Sequence, residues 1–385
     1  MNRTTNLFIL WCSFLVFGLP LRAATVKKYV RLPNGHVLYV EHEQNTSNPR
    51  TLVPLNGLTY DVSKWNSFIE NLGNSRNAIN ILRYDMQGMG NTLQNSLRYW
   101  PWGIWPQIGP ITLEAQAEDL KLLLTKLNIE QPIIVGLSYG GGVALNFAAR
   151  YPDDYEKLIL QAPLTEPMRN QDQSIRQMVE QYRSFFPLLD NDKLYDLFLS
   201  WFVYTAYPIA EPSLVQPRMG GSQPMFEQLP VWFRLQATFE MAKPVRYWNA
   251  NRIVHTLRPG TLHLMDAIDD RYIDSKAMDN FWNSLPAEVG QSRIRLRHCG
   301  HKLPESAPQF TAEWVRLILN NDPRLTAGRV FTADPRNGIA RSNEMEIQLA
   351  AGQARDLPVT NLTSLNGVSN PCVLGMLKHY AQSPD

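Results

Sequence analysis

An α/β fold is expected, built on an open, mostly parallel sheet with crossover helices and one large helical insertion. Three observations lead there. The runs "TLVPLNG" (51–57), "PIIVG" (132–136) and "KLILQAP" (157–163) are short and mostly apolar, as in strands covered on both faces. Amphipathic stretches separate such runs, as crossover helices require. The rhythm stops at Pro163 and resumes only at "GTLHLMDA" (260–267), leaving a block from 164 to 256 that is helical in pattern.

In chain order, "VKKYVRL" and "HVLYVEHE" flank "PNG", which reads as a hairpin. "TLVPLNG" and "NAINILRYD" follow as buried strands. Leu113, Ala117, Leu120, Leu124 and Leu127 recur at steps of four and three, one face of a helix, with Thr112 placed as its N-cap. "PIIVG" is a strand, and a helix from 139 to 151 stops before Pro152. "KLILQAP" closes the first half. The inserted block is rich in aromatics, among them Tyr182, Phe185, Phe198 and Trp201. After "GTLHLMDA" come a helix near 274–285, the strand-like "RIRLRH" and a helix near 305–320. Residues 321–385 show no sustained period and are expected to form an irregular extension, partly ordered along the surface.

The 385 residues, 44 % hydrophobic and 19 % charged, are ordinary globular composition. The formal charge of +2 excludes a strong nucleic-acid signal. Arg3, the run "LFILWCSFLVFGLPL" and the exit at Ala23 read as a secretory signal over residues 1–23. The chain is therefore expected to be secreted or periplasmic. An uncleaved membrane anchor is the alternative, although the run is short for a span of about 20 residues. The residues before Cys12 are too bulky for a lipoprotein box. Cleavage removes Arg3 and Arg22 and no acid, leaving zero formal charge. The remaining cysteines, Cys299 and Cys372, can pair in an oxidising compartment or stay as thiols. No CxxC or HExxH pattern occurs, so neither a metal nor an organic cofactor is expected. Asn45 and Asn361 head matches to the glycosylation acceptor pattern.

The segments are thus 1–23 signal, 24–163 and 257–320 core, 164–256 helical insertion and 321–385 extension. "GLSYGG" (136–141) concentrates the chemistry. A nucleophilic serine must be exposed, activated and set beside donors for an oxyanion. A sharp strand-to-helix turn does this, and its crowded backbone demands small residues two positions either side. Gly136 and Gly140 flank Ser138 in that way. Chance would produce about 0.1 such matches in a chain this long.

A serine needs a base, and the base an orienting acid. His301 lies in "RHCGHKLPESAPQF", after one expected strand and before a helix. That is a loop at the carboxyl end of the sheet, on the rim of Ser138. His298 falls at the strand end. "LMDAIDDRYID" offers Asp266, Asp269, Asp270 and Asp274. Asp266 belongs to the strand edge and Asp274 to a helix cap. Asp269 and Asp270 remain, and the order Ser138, acid, His301 is the one associated with this turn.

These motifs together resemble the alpha/beta-hydrolase superfamily, in its capped form, over about residues 27–320. "PLNGLT" stands where the family carries its oxyanion loop, and "RYDMQGMGNT" resembles its Asp-x-x-Gly-x-Gly-x-Ser turn. "AIDDRYI" resembles its acid loop and selects Asp270; "CGHKLPESAPQF" resembles its Gly-His loop and selects His301. The insertion at 164–256 sits where the family places its cap. The resemblance implies oxyanion donors at the Leu58 and Tyr139 N–H groups. Asn56 departs from the usual histidine and Thr92 from the usual serine, but neither change removes a backbone N–H. The implied activity is that of a serine hydrolase cleaving a carboxylic ester of a small, apolar acyl substrate. A proline-type aminopeptidase on the same triad is a second reading. A non-catalytic binding protein on this scaffold is a third.

Overall fold

The computed structural model describes residues 25–44, 50–58, 60–98, 111–167, 169–201, 231–270, 272–349 and 351. The expected signal segment, Asn45, Asn361 and Cys372 lie outside them.

Eleven strands form one sheet in the order β1-β2-β4-β3-β5-β6-β7-β8-β9-β10-β11. The first two, β1 (Thr25–Arg31) and β2 (Val37–Glu43), make the hairpin read from "PNG". Gly35 takes φ +91 in its turn, a conformation open to glycine at little cost. β2 also runs antiparallel to β4 (Asn80–Asp85). From β4 onward, β3 (Thr51–Leu55), β5 (Ile133–Leu137), β6 (Lys157–Gln161), β7 (Leu262–Ala267) and β8 (Gly290–Leu296) pair in parallel. Every residue of β3, β5 and β7 is buried, which is why β3 and β5 read as mostly apolar runs, while β7 also buries His263 and Asp266.

Helices cover both faces and divide the apolar interior in two. On one face α2 (Gly90–Arg98), α3 (Leu113–Lys126) and α4 (Tyr139–Arg150) bury residues such as Leu93, Leu120 and Phe147. On the other, α1 (Asn66–Asn71) and a later helix, Pro308–Leu319, bury Phe68, Phe310 and Trp314. Thr112 caps α3 by accepting from the Ala115 N–H at 3.0 Å, and Asp274 caps the helix Ser275–Ser284 through the Lys276 N–H at 2.7 Å.

Within 164–256 the described residues form α5 (Arg169–Tyr182), α6 (Asn191–Trp201), α7 (Val231–Val245) and short 3-10 turns. The end of this block returns to its beginning. The Trp248 indole N–H donates to the Leu164 carbonyl at 2.7 Å, and the Ala250 N–H donates to the Thr165 carbonyl at 2.7 Å.

The described residues beyond 320 include sheet as well as irregular chain. β9 (Arg329–Asp334) pairs in parallel with β8, and β10 (Ile339–Arg341) and β11 (Glu346–Gln348) continue the sheet antiparallel. Strands of three residues carry no readable period. They exist here because β8 offers an unpaired edge and because Phe331, Ala333, Ala340 and Ile347 complete the second apolar cluster. Among the described residues no helix is long and apolar enough to cross a membrane.

Candidate active site

Ser138 stands one residue beyond the end of β5 and directly before α4. It holds φ 51 and ψ −115, a strained backbone for a residue with a side chain. The surroundings fix it there. Its N–H donates to the Gln161 carbonyl at 3.0 Å, and its carbonyl accepts from the Gly141 and Leu164 N–H groups, each at 2.8 Å.

The flanking glycines are demanded by backbone contacts. A Cβ on Gly136 would lie 2.7 Å from the Gly140 carbonyl oxygen. A Cβ on Gly140 would collide with the Leu55 carbonyl and sit 2.6 Å from the Asn56 carbonyl. Gly140 therefore lets the start of α4 press against the backbone of the "PLNGL" loop. Tyr139 is the first residue of that helix, where no helical acceptor exists for an N–H. Leu58, in the neighbouring loop, is buried. The two backbone donors implied by the resemblance thus belong to segments in direct contact.

Asp270 follows β7 by three residues and His301 follows β8 by five. β5, β6, β7 and β8 are consecutive parallel neighbours, so Ser138, Asp270 and His301 all emerge at the carboxyl edge of one sheet. His301 Nδ1 lies 2.7 Å from Asp270 Oδ2, and both side chains are 1 % exposed. The other carboxylate oxygen, Oδ1, accepts from the Tyr272 N–H at 2.7 Å and the Ile273 N–H at 3.0 Å. Asp270 is thereby held in one rotamer, and the Tyr272 ring packs on the imidazole with centroids 5.3 Å apart. With a carboxylate as acceptor, Nδ1 carries the proton and Nε2 presents a lone pair. The remaining acids divide as expected. Asp269 is exposed, Asp274 is a cap, and Asp266 is a buried strand residue bound bidentately by Arg293 at 2.7 and 2.9 Å. That ion pair locks β7 to β8 beneath the two loops.

Sequence reasoning missed the hub beneath the "PLNGL" loop. Asp85, fully buried, accepts through Oδ1 from the Val62 N–H at 2.8 Å and the Asn56 amide at 3.4 Å, and through Oδ2 from the Asn91 N–H at 2.7 Å. Burial, with the charge of Asp61 added, pushes its carboxyl up to about 7. The two departures noted in the sequence are accommodated here. Asn56 accepts from the Trp65 indole N–H at 2.9 Å, and Thr92 donates to the Asp85 carbonyl at 2.6 Å while accepting from the Tyr39 N–H at 2.8 Å. The "RYD" triplet carried this signal, because an acid ending a buried strand must find donors. Cys299 is buried beside the histidine loop; its suggested partner Cys372 lies outside the described residues. No group of three or more metal-ligating side chains occurs among the described residues.

Solved structures share this architecture. An esterase from Thermogutta terrifontis matches with a TM-score of 0.51 at 20 % identity, covering 78 % of this chain and 99 % of that one. An enol-lactonase from Burkholderia xenovorans matches with a TM-score of 0.53 at 17 % identity, covering 76 % and 100 %. In sequence, the chain is 30 % identical over 209 residues to a 2-hydroxy-6-oxononadienedioate/2-hydroxy-6-oxononatrienedioate hydrolase from Paraburkholderia phymatum. That match spans 51 % of this chain and 64 % of the relative, under two thirds of its length. The family model for the alpha/beta hydrolase fold matches residues 50–308, a stretch that runs from β3 through the elbow and the acid loop to past His301. By sequence family and by architecture alike, the chain belongs to the alpha/beta hydrolases.

Proposed function

We propose that this hydrolase is a serine esterase working through an acyl-enzyme on Ser138. The observation that carries the reading is the buried 2.7 Å pair of His301 Nδ1 and Asp270, on the same sheet edge as a serine presented by a strained elbow.

The steps follow from the residues. His301 Nε2 removes the Ser138 proton as Oγ attacks the ester carbonyl. Asp270 fixes the tautomer and stabilises the imidazolium that forms. The Leu58 and Tyr139 N–H groups receive the negative charge on the carbonyl oxygen. The tetrahedral species collapses as His301 returns the proton to the leaving alcohol. Water, deprotonated by the same nitrogen, adds to the acyl-enzyme, and Ser138 leaves with its proton restored. The residues supply acid, base and nucleophile, so the sequence of steps is complete without a cofactor.

Small apolar acyl esters are the proposed substrates. Met241 of α7 supports this, because it packs over the loop at Gly88, where a Cβ would meet its sulfur at 3.0 Å. Gly88 lies in the loop after β4, so Met241 sets an apolar side chain of the inserted block against that loop. Cleavage of the segment 1–23 and export of the mature chain are proposed with it, on the basis of the apolar run and its small-residue exit.

A second reading is hydrolysis of an oxo-dienedioate of the kind named for the Paraburkholderia relative, favoured by the 30 % identity over 209 residues. A panel of p-nitrophenyl esters, aminoacyl-anilides and an oxo-dienedioate separates the readings. A fluorophosphonate probe tests the mechanism beneath them: wild type should label and Ser138→Ala should not. Equal labelling of the two removes the proposal.

A further inference from the structure

Beyond the residues matched by the family model, the chain adds β9, β10 and β11 to the edge of β8. β8 is the strand that delivers His301. The ladder does not stop where β8 stops: the Arg297 N–H donates to the Ala333 carbonyl at 2.9 Å, carrying the pairing into the histidine loop. The next residue, His298, adopts φ +56, a left-handed conformation that costs energy for a residue with a Cβ. One carboxylate holds its backbone there and a second stands beside its ring. Its N–H donates to Asp269 Oδ2 at 2.8 Å, and its Nε2 lies 3.7 Å from Asp334 Oδ2.

These two carboxylates come from opposite sides. Asp334 ends β9, and Arg336 holds its side chain at 2.6 Å. Asp269 precedes Asp270 in the acid loop. A continuous path therefore runs from the added hairpin through Asp334, His298 and Asp269 to Asp270, and from His298 three residues along the chain to His301. Apolar packing backs it. Phe331 of β9 meets Trp314 with ring centroids 5.2 Å apart, and Cys299 and Leu303 on either side of His301 belong to the same buried cluster.

We propose that the β9–β11 extension is a positioning element for the His301–Asp270 pair, with Asp269 and Asp334 as positioning residues that act through His298. The inference rests on His301 being the base described above. The extension braces the loop from beyond the residues that the family model matches, so the imidazole keeps its place without contact from the extension to the reacting atoms. A misplacement of about 1 Å at a catalytic group costs up to about a hundredfold in rate.

The test uses the full chain and the labelling kinetics of a fluorophosphonate. Asp269→Ala and Asp334→Ala should each lower the maximal labelling rate by about tenfold, with the half-saturating probe concentration unchanged. Asp269→Asn keeps an oxygen acceptor for the His298 N–H and should recover most of the rate. Arg341→Ala, which removes only an exposed ion pair with Glu346, should label like wild type. Failure of wild type itself to label overturns the serine-hydrolase reading. Labelling of wild type with both alanine variants equally fast overturns the positioning role alone. Equal losses in Asp269→Ala and Asp269→Asn overturn it too, because the lost acceptor is then not the cause. Should Asp269→Ala not fold, Asp334→Ala and Asp269→Asn still decide.

Discussion

His301 Nδ1 and Asp270 Oδ2 meet at 2.7 Å although 31 residues separate them. β7 and β8 run parallel and adjacent, so their following loops cross at one edge. The pair sets the tautomer, and the tautomer sets which nitrogen can act as a base. Asp270→Asn should keep an oxygen for the Tyr272 and Ile273 N–H groups and turn its amide toward Nδ1. The proton then moves to Nε2, and kcat should fall by about 10⁴-fold. Steady-state kinetics beside a thermal melt check this; a variant with wild-type kcat and an unchanged melt removes Asp270 from the mechanism.

Gly140 tests the elbow by geometry. Its absent side chain admits the carbonyls of Leu55 and Asn56, and neither carbonyl can swing away without breaking β3 or its loop. Gly140→Ala should destabilise by about 1–3 kcal/mol and should abolish labelling of Ser138 even where the variant folds. Retained labelling at the wild-type rate shows that the approach of α4 to the "PLNGL" loop is dispensable.

Two buried groups give opposed pH dependences. Asp85, pushed up to about 7, keeps in the folded state a proton that the unfolded chain releases near its ordinary value. Stability contributed by this group falls as pH rises from about 4 to about 7. His263 is lowered to about 3 by burial, its Nδ1 2.8 Å from Ser292 Oγ. Its contribution is present above about 6.5 and is lost as pH falls toward 3. The two oppose each other between about 4 and 6.5, each by at most about 1.4 kcal/mol per pH unit. Asp85→Asn should therefore show stability rising with pH across that window, and His263→Gln should show it falling. Urea unfolding at a series of pH values reads both, and profiles parallel to wild type exclude the assignment.

The added strands should matter for stability as well as position. Phe331 is fully buried against Trp314 in the second apolar cluster. Phe331→Ala should cost about 3–5 kcal/mol, measured by urea unfolding. A loss under about 0.5 kcal/mol is within the range of surface substitutions and means that β9 lies loosely on β8.

The sequence by itself determined the parallel sheet, the elbow at Ser138 and the candidates for acid and base. Strands buried on both faces are mostly apolar, and a serine turned sharply onto a helix must be flanked by small residues. Both constraints act on neighbouring residues and so leave a local record. Residue pattern left Asp269 and Asp270 open, and only the resemblance of "AIDDRYI" to a family loop selected Asp270. In the structure Asp270 faces the His301 imidazole and Asp269 accepts from the His298 N–H. Asp85 as a buried hub, the Arg293–Asp266 bridge and the strands after residue 328 were decided only in three dimensions. Each draws its stability from partners far along the chain: Val62 and Asn56 for Asp85, β7 against β8 for the bridge, and the open edge of β8 for β9. A three-residue strand or a single acid carries too little pattern to announce such partners. The tertiary structure supplies them because parallel neighbours bring distant carboxyl ends to one edge.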